Sequence, residues 1–156
     1  MRVHLCAMGR IRSGPERMLV DDYVTRFERT GRALGLGPLL EHEVEDKRGG
    51  GMEAEAEVLA RAVPSGALLA VLDERGRVLS SPEFAEQLAK WRDGGRQDVA
   101  FVIGGADGIA PSLRDRAEFS LSFGRMVWPH MMVRVMLAEQ LYRAASILAG
   151  GPYHRV

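Results

Sequence analysis

Three short stretches containing glycine follow apolar runs: residues 72–76, the run Gly104-Gly105-Ala106-Asp107-Gly108, and residues 123–129. Glycine permits close backbone approach and positive φ, and open parallel sheets bind ligands at the carboxyl ends of their strands. The three loops therefore either build one binding site together or each simply turn the chain. Dinucleotide and P-loop chemistry are weak options, because 104–108 does not match G-x-G-x-x-G and no G-x-x-x-x-G-K-[ST] occurs. His4, His42, His130 and His154 show no metal-ligand spacing and Cys6 stands alone, so no metal is expected. A serine nucleophile would need a G-x-S-x-G elbow, which is missing. The polar residues least explained by a core are His130, Arg134 and the ending Tyr153-His154-Arg155. They begin a helix and form a solvated tail, or else they stack on a base and pair with phosphate. Lys47 and Arg48, beside Gly49-Gly50-Gly51, are likewise a solvated loop or a phosphate contact. Composition alone leaves these alternatives open.

These groups need elements to carry them. Residues 3–8 read as a buried strand, followed by a Gly/Arg/Ser loop and a helix with Pro15 at its first position. Met18, Leu19, Tyr23, Phe27 and Leu34 recur at helical spacing on that segment. A second strand is expected over 39–44, a helix over 53–63, and a fully covered strand over 67–72. The run Asp73-Glu74-Arg75-Gly76 predicts a turn. Ser81-Pro82-Glu83 predicts an N-cap, a first-turn proline and a first-turn acid for the next helix, which ends at Gly94-Gly95. Another apolar strand covers 99–103. Strands alternating with helices at this spacing predict an α/β fold with a mostly parallel sheet flanked by helices. A strand and loop follow from Leu121, and then a helix from about His130 to Leu148 that is apolar on nearly every face. Such a helix must be covered on two sides, and a partner subunit is the expected second cover.

The whole chain, 156 residues, suits one domain, and its 46% hydrophobic and 27% charged composition is that of a globular protein. Net charge is zero, but residues 121–156 carry +3 and the remainder −3. An anionic partner is therefore expected at the C-terminal quarter. The single cysteine, Cys6, excludes an intrachain disulfide framework and reads as a buried, inert thiol. The first residues lack the apolar core of a signal peptide, and no segment approaches the ~18 consecutive apolar residues of a membrane span. A cytoplasmic protein with no membrane partner is expected.

The order of motifs in the second half is more specific than any one of them. Phe101-Val102-Ile103-Gly104-Gly105-Ala106-Asp107-Gly108, Leu121-Ser122-Phe123, Trp128-Pro129-His130, Val133-Arg134-Val135, Leu137-Ala138-Glu139-Gln140-Leu141-Tyr142-Arg143-Ala144 and Pro152-Tyr153-His154-Arg155 follow one another. Together they resemble the RlmH family of SPOUT-class RNA methyltransferases, along essentially the whole chain. The resemblance implies a SPOUT-like domain over 1–156 with a C-terminal trefoil knot, an exception to unknotted topology. Knot and cofactor region would span about 98–156. It also implies S-adenosylmethionine as cofactor and a homodimer that methylates N3 of a pseudouridine in 23S rRNA of the assembled ribosome.

Carried over by position, the cofactor contacts fall on Leu72, Gly105, Gly124, Arg125, Met126, Val127, Trp128 and Pro129. Substrate contacts fall on Arg134, Tyr153, His154 and Arg155, and the catalytic candidates are Tyr153, His154, Arg155 and His130. Relatives commonly have serine, lysine and threonine where this chain has Gly124, Arg125 and Val127, so backbone groups would carry more of the cofactor binding here. Two alternatives are a non-catalytic RNA-binding or ribosome-assembly module with the same fold, and a knotted tRNA methyltransferase.

Overall fold

A computed structural model describes residues 1–154; Arg155 and Val156 lie outside the described residues. Strand β1 (Arg2–Met8) alternates its side chains, so Val3, Leu5 and Ala7 enter one apolar layer and Cys6 and Met8 the other. Helix α1 (Pro15–Gly31) starts on proline, whose missing N–H costs nothing at a helix start. Strand β2 (Leu39–Val44) and helix α2 (Gly51–Ala62) follow. Then come β3 (Leu68–Val78), α3 (Ser81–Asp93), β4 (Asp98–Ile103), the short α4 (Pro111–Arg116), β5 (Phe119–Ser122) and α5 (His130–Leu148).

The five strands lie in the order β2-β1-β4-β3-β5. Every pairing between them is parallel, so all the carboxyl ends share one edge. β1 leads away to β2 on one side, whereas β4 leads past β3 to β5 on the other. The reversal makes a switch point between β1 and β4. Helices α1, α3 and α5 cover one face of the sheet, and α2 and α4 the other. Cys6 is wholly buried under α2, and burial pushes its thiol up to about 12.

Two local expectations change. The run Asp73–Gly76 is not a plain turn, because β3 continues through an irregularity between Leu72 and Arg77 and pairs again with β5. Gly76 lies flat on the backbone of Ser120, close enough that a Cβ would be 2.7 Å from the Ser120 carbonyl carbon. The N-cap of α3 is Ser80, one residue before the expected Ser81; it forms a capping box with Glu83.

Helix α5, bounded as expected, finds its second cover inside the chain. It packs between α1 and α3 on the sheet, with Leu137, Ala138, Leu141, Ala144 and Ala145 fully buried. Each buried leucine contributes about 1.5–3 kcal/mol. A partner subunit is not needed to bury the body of the helix, although Met131 and Met132 in its first turn remain more than a third exposed. No helix among the described residues is long and apolar enough to cross a membrane.

Candidate active site

The carboxyl ends of β3, β4 and β5 open onto one cavity of about 420 Å³. Its walls are residues 72–75, 103–109 and the loop after β5; Met52 of α2, Arg114 of α4, and His130 and Val133 of α5 complete it. The three glycine loops therefore share one space, with a volume suited to a small organic ligand.

Main chain forms much of the wall. The Gly108 N–H donates to the Gly105 carbonyl at 3.0 Å, which folds 105–108 into a tight turn. A Cβ on Gly104 would collide with the Gly108 carbonyl, so only glycine lets the turn close. Beyond β5, Gly124 has φ 103°, open to glycine and strained for other residues. Ser122, 3% exposed, ties two loops together: its Oγ accepts from the Gly124 N–H at 3.0 Å and lies 3.1 Å from the Glu74 carbonyl. Asp73, its side chain nearly buried, accepts from the Arg75 N–H at 2.8 Å and faces the Arg75 and Arg114 guanidiniums at 3.4 and 3.5 Å. Sequence reasoning assigns no role to Asp73, Arg114 or Ser122, although Asp73 falls in the glycine loop 72–76 and Ser122 in the run Leu121-Ser122-Phe123.

Leu72, Gly105, Gly124, Met126, Val127, Trp128 and His130 all line the cavity. Arg125 and Pro129 are exposed in the same loop without lining it. His130 is half-buried, and its Nε2 would lie 3.9 Å from a Cβ on Gly9, so the loop after β1 borders the site.

Arg134 departs from the expectation that it meets a substrate. It is 1% exposed. Its guanidinium donates to Glu41 Oε2 at 2.8 Å, Glu43 Oε2 at 2.6 Å and the Gly9 carbonyl at 3.0 Å. Arg17 shares both carboxylates, and Glu43 also accepts from the Ile11 N–H. A buried guanidinium needs this many acceptors, and in this chain they come from β2 and the loop after β1.

The tail lies away from the cavity. Gly151 donates to the Ser146 carbonyl, and the chain then folds back along α5. The Tyr153 hydroxyl donates to Glu139 Oε1 at 3.0 Å, its ring lies on Tyr142, and the Arg143 guanidinium stacks over it. Burial, with Tyr23 and Glu139 beside it, raises the Tyr153 hydroxyl well above its ordinary range. His154 is half-buried, its Nδ1 without a partner among the described residues, and Arg155 falls outside them. Neither Tyr153 nor His154 lines the cavity of its own chain.

The family model described as Predicted SPOUT methyltransferase matches residues 1–154. The chain belongs to the SPOUT methyltransferases. Full-length relatives carry the name ribosomal RNA large subunit methyltransferase H. That from Cereibacter sphaeroides is 75% identical over 156 residues, covering 100% of both chains. Those from a Ruegeria species and from Dinoroseobacter shibae are 70% and 65% identical over the same span. A solved structure, a probable methylase family protein from Haemophilus influenzae Rd KW20, is similar in fold with TM-score 0.53 at 15% identity, covering 99% of this chain and 70% of that one.

SPOUT methyltransferases depend on S-adenosylmethionine, and this chain is accordingly an enzyme of that kind. The cavity fits such a group. Glycine at 104 and 105 leaves bare main chain on its wall, apolar surface comes from Leu72, Met126 and Val133, and amides and carbonyls of the loops stand available for an adenosine.

Proposed function

We propose that this SPOUT enzyme methylates N3 of a pseudouridine in 23S ribosomal RNA, acting in the cytoplasm on assembled ribosomes as a homodimer. The observation that carries the reading is full-length identity of 65–75% to relatives named for large-subunit ribosomal RNA, together with a cavity lined by six of the eight carried-over cofactor positions. The C-terminal segment is read as threaded into a trefoil knot, on the same family resemblance.

In this reading the backbone of 104–108 and 124–128, with Leu72 and Trp128, holds S-adenosylmethionine. When bound, that cofactor supplies an electrophilic methyl group on a sulfonium centre. The protein's contribution is largely positional: N3 must be aimed along one line and water kept out. N3 also has to lose its imino proton. His130 and His154 are the candidates to take it, and His130 lines the cavity of its own chain, which supports that role for it. The negative charge that develops on the base calls for a guanidinium, the role assigned to Arg155.

Tyr153 and His154 stand away from their own cavity, so they can serve a substrate only at the cavity of a second copy. This supports a homodimer in which each tail completes the other's site. Exposed Met18 and Leu19 on α1 and Met131 and Met132 on α5 are apolar surface at the cavity end of two adjacent helices, available to such a contact.

The test is to incubate the protein with labelled S-adenosylmethionine and ribosomes or tRNA from a strain lacking the gene, then digest the RNA for mass spectrometry. Methylpseudouridine in 23S rRNA is expected. Label in tRNA alone, or none in either pool, would overturn the proposal.

A further inference from the structure

Glu55 sits on α2, directly behind the cavity wall. A Cβ placed on Gly105, which lines the cavity, would lie 3.1 and 3.3 Å from its two carboxylate oxygens, so this carboxylate rests against the bare face of a wall glycine. One oxygen, Oε2, is buried and has no hydrogen-bond partner among the described residues. The titratable groups around it are Asp46 from the loop after β2, Asp107 from the loop after β4 and His130 from α5, and the Gly105 N–H faces the carboxylate. No arginine or lysine is paired with it among the described residues. Burial, then Asp107 and Asp46, raise its carboxyl above the ordinary range.

The other acids at the cavity differ. Asp73 is neutralised by Arg75 and Arg114, and Glu74 and Asp107 are exposed and screened by solvent. Glu55 alone among these acids is partly buried without a basic partner, and a charge shielded from water acts over longer distances than an exposed one.

We propose that Glu55 is a specificity-determining residue for the charge of the ligand: its carboxylate, acting through the bare backbone of Gly105, favours a sulfonium over a neutral thioether in the cavity. S-Adenosylmethionine carries that sulfonium and S-adenosylhomocysteine, the product, does not. The residue thereby promotes exchange of product for fresh cofactor. The inference rests on the cavity being the cofactor site.

The test is calorimetric titration of both ligands into the RNA-free protein at pH 8. In Glu55→Gln the dissociation constant for S-adenosylmethionine should rise on the order of tenfold, while that for S-adenosylhomocysteine should change by less than about twofold. Glu55→Asp, which keeps the charge, should preserve most of the wild-type ratio. Glu55→Met, neutral and of similar length, serves in place of Glu55→Gln if the latter does not fold. A parallel loss of both affinities would make Glu55 merely structural, and an unchanged ratio would remove its role altogether; either overturns the inference. Ala106→Trp, which fills the cavity from an exposed position, separates the underlying reading. If it binds S-adenosylmethionine as wild type does, the cavity is not the cofactor site.

Discussion

Arg134 stands one helical turn after His130, yet the two residues have different surroundings: His130 opens onto the cavity while Arg134 is sealed between Glu41, Glu43 and the Gly9 carbonyl. Removing one member of a buried ion network leaves its partners uncompensated, which costs about 3–5 kcal/mol. Arg134→Met should therefore lower the unfolding free energy by about that amount in urea denaturation, and Arg125→Ala, on the exposed loop, should leave it nearly unchanged. Equal, small effects from the two would contradict the network. A second set of polar groups lies at the amino-terminal edge of the sheet. His4 bridges Asp98 at 2.8 Å and His42 at 2.9 Å, and Arg2 holds Asp98 from the other side. Burial and the neighbouring His4 lower the His42 pKa from 6.5, while Arg2 and then His4 hold the Asp98 carboxyl far below 3.8. Both shifts have the same consequence. The unfolded chain binds more protons, so stability is full above 6.5, begins to fall below it through His42, and falls further below 3.8 through Asp98. Thermal melts across that range should show the His42 step, and His42→Gln should remove it.

At the scale of elements, α3 and the loop after β5 are set by different kinds of constraint. The capping box joining Ser80 and Glu83 satisfies backbone donors at the start of α3. Ser80→Ala should cost about 1 kcal/mol and leave S-adenosylmethionine affinity unchanged in calorimetry, because the cap does not line the cavity. The loop after β5 turns on Gly124 at positive φ and on the buried Ser122 hydroxyl. Gly124→Ala should cost about 1–3 kcal/mol, felt as weaker cofactor binding, with Trp128 fluorescence as the readout. Normal affinity in that variant would show that the loop tolerates another path. These two elements also differ in how far the sequence reveals them. Proline and acid after a serine mark a helix start to within one residue. The continuation of β3 through Asp73–Gly76 carries no such mark, since its cause is the flat approach of Gly76 to Ser120, far along the chain.

For the whole molecule, the proposed function has the tail complete the site of a second copy. Tyr153 is held to Glu139 on its own α5, outside its own cavity. If tails act on the neighbouring copy, a mixture of Ala106→Trp, blocked in its cavity, with Tyr153→Ala, impaired in its tail, should regain activity that neither has alone. Mixed dimers hold one intact cavity faced by one intact tail. No recovery after subunit exchange, checked by sedimentation, would place the tail's function elsewhere.

The sequence by itself determined the parallel α/β architecture, the approximate places of the strands and the family, and it offered the convergence of three glycine loops at the strand ends as one of two readings. Those features are written in local periodicity and in motif order, which a chain carries wherever its parts end up. Only the tertiary structure decided that Arg134 is buried, because its carboxylates lie 93 and 91 residues away along the chain. It also decided that α5 is covered by α1 and α3, and that Glu55 stands uncompensated behind Gly105. In each case the outcome depends on which distant side chains share a small dry volume, and local spacing carries no record of that.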